Sequence, residues 1–194
     1  MASHTREQAL ALMHDYTASD SLRKHMLSVE AAMQAYAEKF GEDAHTWGLA
    51  GLLHDFDYER FPNEAHSATE EHPAEGARIL RSQGYPEEII DAMLGHATYS
   101  GVARESMMAK TLFAVDELTG LITATALVRP SKSVLEVEVK SVRKKMKDKA
   151  FARGVNRDDV INGTADLGVD LDEHIAFVIG AMQRVAPSLG LAGV

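Results

Sequence analysis

Six apolar residues between positions 22 and 40 do most to limit what this chain can fold into. Leu22, Met26, Val29, Met33, Tyr36 and Phe40 recur at steps of four, three, four, three and four. That spacing lines one face of an α-helix and cannot line a strand, whose side chains alternate every second residue. Gly41 follows where a left-handed residue ends a helix. Residues 43 to about 56 predict a shorter helix that buries Trp47, Ala50 and Leu53. The connection from about 57 to 71 is polar, holds Pro62 and has no apolar period. His72-Pro73 predicts a new helix with His72 at the N-cap and Pro73 at the first helical position, where its missing N–H costs nothing. That helix extends to about Gln83, with Gly84 closing it, and Tyr85-Pro86-Glu87-Glu88 starts another through Met93 and Leu94.

Residues 105 to about 128 predict a long helix ended by Arg129-Pro130. Ser133 with Glu136, Asn156 with Asp159 and Asp170 with Glu173 have capping-box spacing, and each predicts a further helix. Only VLEVEVKSV, Val134 to Val142, alternates as a strand does, and the cap before it and the KKMKDK run after it favour helix. With no repeat, low-complexity tract or linker in view, the expectation is an all-α fold. A single domain over 1–194 would hold about eight or nine helices.

Composition then removes several classes of function. A net charge of −9 argues against broad binding to nucleic-acid polymers or membrane surfaces. No cysteine is present, which excludes disulfides, thiolate zinc sites and thiol catalysis. Any transition-metal site must use histidine and carboxylate. No stretch approaches the roughly 18 apolar residues of a membrane span, and the first residues have no signal-peptide layout, so a cytoplasmic location is expected. There is no G-x-S-x-G elbow and no Gly-rich phosphate loop. The nine methionines mostly follow helical stripes and read as core.

Of nine histidines, four fall at predicted element ends: His25, His54, His72 and His96. His54-Asp55 follows the apolar run GLAGLL with no polar transition. Asp116 lies inside the long helix among Leu112, Phe113, Val115 and Leu118, where an acid is costly unless it is paired or bound to a cation.

The ordered set His25, His54-Asp55, His72, His96 and Asp116 resembles the HD superfamily of metal-dependent phosphohydrolases. The contexts LLHD and AVDELTGL carry the likeness, with EHPAEGARIL and MLGHATYS supplying the extra histidines of the family's binuclear branches. The resemblance spans roughly residues 20 to 130, which would hold the metal-site core, with helices over about 131–190 completing the bundle. The segment from Arg129 to Asp158 is similar to the tail of some bacterial members. One departure is clear: many members follow the doublet with Ile-Gly-Lys, where this chain has Phe56-Asp57-Tyr58-Glu59-Arg60.

The resemblance implies one or two divalent metals per chain: iron, manganese, zinc, nickel or cobalt, or magnesium with fewer nitrogens. It implies His54 and Asp55 as the catalytic doublet and Asp55 as a bridge between metals. His25, His54 and Asp116 would complete one metal, and His72 and His96 the other. The implied substrate is a nucleotide or another small phosphorylated metabolite, with Arg129, Lys132 and Lys140 as cations for its phosphate charge. Asp57 and Glu71 read either as partners that orient a histidine or as surface acids. The helices over 134–150 and 170–187 are open to two uses, closing a pocket or pairing copies into a homodimer. Beside hydrolysis, a di-iron oxygenase and a non-catalytic regulatory module on the same scaffold fit the ligand set.

Overall fold

The computed structural model describes residues 4–194. Their regular structure consists of ten α-helices and two 3-10 turns, with one isolated antiparallel bridge, Ser133 to Ala192. The fold is all-α, and the described residues form no strand. None of the described helices is long and apolar enough to cross a membrane. The chain divides into two compact units, the first ending at Leu112 and the second beginning at Phe113.

The first unit contains α1 (Arg6–Tyr16), α2 (Asp20–Phe40), α3 (Ala44–Leu53), α4 (Ala74–Ser82) and α5 (Glu87–His96). A 3-10 turn, Thr98–Ser100, follows α5. The stripe on α2 behaves as its spacing requires: Met26, Val29, Met33 and Tyr36 are fully buried. Ser19 caps the start of α2 by accepting from the Leu22 N–H, and Gly41 ends it at φ 75°. Such a φ is steric freedom that glycine alone has cheaply.

α3 packs on α2, α1 and α5. Its glycines explain how closely: a Cβ on Gly51 would sit 2.9 Å from the Glu30 backbone, and one on Gly48 would sit 2.7 Å from the Gln34 side chain. The GLAGLL run is therefore a contact surface between two helices, and it carries His54 in against α2.

α1 has no counterpart in the sequence reading. Thr5 and Gln8 form its capping box, each side chain bonding the other's backbone N–H, and Arg6 ties it to the buried Glu30 of α2 through two bonds of 2.6 and 2.9 Å. α4 begins one residue later than expected. Pro73 occupies the N-cap position without a capping side chain, so His72 lies just outside the helix and is not its cap. The physical reason is that the His72 side chain is engaged elsewhere, with Asp57.

The boundary between the units falls within α6 (Met107–Leu127). Beyond it come a 3-10 turn, Val134–Glu136, then α7 (Val139–Lys147), α8 (Arg157–Leu167), α9 (Leu171–Arg184) and α10 (Ala186–Leu189). α9 packs against α7, α8 and the 3-10 turn. Asn156 and Asp170 cap α8 and α9 as their spacing predicts, each accepting from two backbone N–H groups.

Ser133 does not open a long helix. It caps only the 3-10 turn, and α7 starts five residues after Val134. The Glu136 carboxylate accepts from Ser131 Oγ at 2.8 Å instead of completing the box. His174 is a core histidine, 1% exposed, with Nε2 bonded to the Ala114 carbonyl at 2.9 Å.

Candidate metal centre

Within the first unit, five of the six expected ligands converge. His25 comes from α2, His54 caps the C-terminal end of α3, Asp55 is next in the chain, His72 precedes α4, and His96 is the last residue of α5. Helix ends suit this purpose, because a side chain there can turn into the space between helices without displacing the packed stripe. His54 and His72 are almost completely buried, while His25, Asp55 and His96 are half-buried.

Asp55 is at the centre, and its two oxygens face different histidine pairs. Oδ1 lies 3.3 Å from His72 Nε2 and 3.4 Å from His96 Nε2. Oδ2 lies 3.4 Å from His54 Nε2 and 3.7 Å from His25 Nε2. Within each pair the two Nε2 atoms are close, 3.3 Å for His72 with His96 and 3.2 Å for His54 with His25. Burial would push the Asp55 carboxyl up, but the charge and hydrogen bond of His54, the hydrogen bond of His96 and the charge of His72 hold it well below the usual carboxylate range.

Three of the rings have Nδ1 committed elsewhere. His54 Nδ1 donates to the Gly51 carbonyl at 2.8 Å, His96 Nδ1 to the Met93 carbonyl, and His72 Nδ1 to Asp57 Oδ1 at 2.7 Å. A neutral imidazole that donates from Nδ1 presents a lone pair at Nε2, and here every Nε2 points into the cluster.

Two nitrogens bound to one ion at about 2.0–2.1 Å lie about 2.8–3.4 Å apart, from the octahedral to the tetrahedral angle. Both histidine pairs, at 3.2 and 3.3 Å, fall in that range toward its tetrahedral end. The donor set of neutral nitrogen and carboxylate oxygen suits a divalent transition metal, and Asp55, His72 and His96 offer ligand atoms that all lie within 4.8 Å of one another. The residues fit the group.

The remaining expected site residues belong to the second unit. Asp116 is half-buried on α6, flanked by the fully buried Leu112, Val115 and Leu118. Arg129 pairs with Glu136 at 3.5 Å, the exposed Lys140 pairs with Glu138 at 2.7 Å, and Lys132 lies in the turn after α6 at φ 48°.

The stretch after the doublet separates into distinct roles. Arg60 does not replace the lysine of the commoner pattern beside the cluster. Its guanidinium bonds the Asp15 carbonyl at the end of α1 and lies 4.0 Å over the Tyr16 ring. Glu59 accepts from the N–H groups of Ala18 and Ser19 before α2, both at 3.0 Å. Tyr58 is 39% exposed, its ring edge-on to His72 at 5.2 Å.

Asp57, left open as a surface acid, is completely buried and bonded to His72. Glu71 instead braces its own loop by accepting from the Ala65 and Ser67 N–H groups. Tyr99, which the sequence did not single out, donates its hydroxyl to the His72 carbonyl at 2.7 Å. The one trace of this arrangement in the sequence is Gly76, a glycine in the first turn of a helix. It signals a close approach without saying by what.

A family model described as the HD domain matches residues 22–121, just over half of the chain and a span that includes all six expected ligands. No solved structure matches the chain significantly.

Proposed function

The chain belongs to the HD domain family, and from that premise we propose that it is a metal-dependent phosphohydrolase acting on a nucleotide or another small phosphorylated metabolite. One observation carries the reading: each oxygen of Asp55 faces its own pair of histidine Nε2 atoms at 3.3–3.7 Å. A carboxylate that served one ion would not need both faces equipped. His25 and His54 would hold one cation, His72 and His96 the other, and Asp55 would span the two. Asp116 is assigned as the sixth ligand, because the family match extends to it and because an acid on an apolar helix needs a cation or a partner.

When bound, two divalent ions polarise a phosphoryl group and make a water acidic enough to attack it near neutral pH. The chain's own contribution is to position. The Gly51 and Met93 carbonyls and Asp57 accept from Nδ1 of three imidazoles and so aim their Nε2 atoms at the cluster. Asp55 stays ionised under its histidines, ready to bridge. Arg129, Lys132 and Lys140 are assigned to the phosphate charge that the metals leave uncompensated, with Arg129 and Lys140 exchanging their present carboxylate partners for substrate.

The test is elemental analysis of the protein as isolated, followed by a phosphate-release screen over nucleotides and sugar phosphates with manganese under anaerobic conditions. Two metal equivalents per chain and phosphate release without oxygen are expected. Two equivalents with no release from any substrate, together with oxygen consumption by the iron-loaded protein, would replace hydrolysis with oxidation.

A further inference from the structure

His54, His72 and His96 face the same chemical problem, since each must keep its proton on Nδ1 to offer Nε2. They solve it differently. His54 and His96 donate to neutral backbone carbonyls, whereas His72 donates to a carboxylate that is 0% exposed.

That carboxylate has no spare lone pair toward solvent. Its second oxygen accepts from the Gly76 backbone N–H at 2.7 Å, in the first turn of α4. Both of its contacts are donors, so Asp57 has to be an acceptor on both sides. The site is built for the contact: a Cβ on residue 76 would lie 2.7 Å from Asp57 Cγ and 2.2 Å from Met93 Cε. The His72 backbone is clamped as well, its N–H donating to the Phe61 carbonyl at 2.8 Å and its carbonyl accepting from Tyr99. A charged acceptor behind an imidazole fixes the tautomer and makes the opposite nitrogen a stronger ligand than a carbonyl does.

We propose that Asp57 is a positioning residue that locks His72 in its Nδ1–H form and makes the Asp55–His72–His96 half of the centre the tighter of two divalent-cation sites. The inference rests on the two-cation reading above. Asparagine at 57 is a sharp probe because it keeps the shape and loses the symmetry. Its one carbonyl oxygen can face His72 or Gly76, and its amide nitrogen then meets the other donor. If the amide faces His72, the ring proton is driven to Nε2 and the ligand is lost.

The experiment is a Co²⁺ titration of metal-stripped protein, read by visible absorption and chelator competition. In a His25→Ala background one cobalt remains, and Asp57→Asn weakens it about ten- to hundredfold. In a His96→Ala background Asp57→Asn leaves the residual cobalt unchanged, a site selectivity that a general loss of packing cannot reproduce. Equal weakening in both backgrounds, or none in either, overturns the proposal. If wild-type protein binds no cobalt, the two-cation reading itself falls. Should Asp57→Asn fail to fold, ¹⁵N spectra of the zinc-loaded wild-type chain decide: His72 must show a protonated Nδ1 and a metal-bound Nε2, and the reverse tautomer refutes the assignment.

Discussion

The loop from Asp57 to Glu71 and the segment from Arg129 to Lys147 look alike in the sequence in one respect: both are rich in charge. They use their charges in different ways. In the first, carboxylates and a guanidinium bond backbone groups: Asp57 the Gly76 N–H, Glu59 the N–H groups before α2, Arg60 the Asp15 carbonyl, and Glu71 the Ala65 and Ser67 N–H groups. In the second, Arg129, Lys140 and Arg143 pair with the carboxylates of Glu136, Glu138 and Asp172, and only beyond it does Arg157 turn to backbone carbonyls. A charge bonded to backbone satisfies a group that folding would otherwise leave unpaired at a helix end, and it fixes where that end lies. Two long side chains paired in water gain little, because solvent screens the attraction and ordering them costs entropy. The first loop can therefore hold histidines at ligand distances with no regular structure of its own.

The largest effect should come from the doublet to which that loop is attached. Asp55→Ala removes the carboxylate shared by both histidine pairs, and loss of several kcal/mol of transition-state stabilisation should lower phosphate release on the order of a thousandfold or more. Steady-state rates with elemental analysis check this, and wild-type metal content would refute it.

Next is the contact that seats Asp57. Gly76→Ala should destabilise the fold by about 1–3 kcal/mol through overpacking, measured by urea unfolding of the metal-free chain. An unchanged midpoint would show that the close approach is dispensable.

A smaller, pH-dependent effect should be confined to the loop. The N–H groups of Ser67 and Ala65 hold Glu71 below the usual glutamate value of 4.5. A carboxyl depressed in the folded state stabilises fully above its unfolded pKa, and that contribution is lost as pH falls through the folded one. Amide exchange protection at Ala65 and Ser67 should therefore fall as pH drops below about 4.5. Protection at α7 serves as the control, and equal losses in both regions would erase the contrast.

The least effect belongs to the other region. Arg143 and Asp172, 3.2 Å apart with side chains 42% and 61% exposed, form a surface pair, so Arg143→Ala should change stability by less than about 1 kcal/mol in the same urea assay.

Much of the helical framework was legible in the sequence, because it depends on neighbours in the chain. The stripe from Leu22 to Phe40, the glycine stop at 41 and the caps at Asn156 and Asp170 are local facts, and the structure has them where periodicity and capping chemistry put them. The start of α7 was misread because its signal, a serine followed by an acid three residues later, holds only if the acid turns back toward the cap. Glu136 turns to Ser131. α1 was overlooked although Thr5 and Gln8 spell a capping box.

The identities of the metal-site candidates also came from the chain, since histidines at helix ends and an acid inside an apolar helix are visible without coordinates. What no spacing rule contains is which histidine faces which oxygen of Asp55, or that Asp57 is buried while Glu71, in the same polar loop, braces the surface. Those outcomes depend on α2, α3, α4 and α5 meeting across long separations in sequence. The close fits are set by Gly51 against Glu30 and Gly76 against Asp57. Periodicity decides which face of a helix is buried; only packing decides what that face touches.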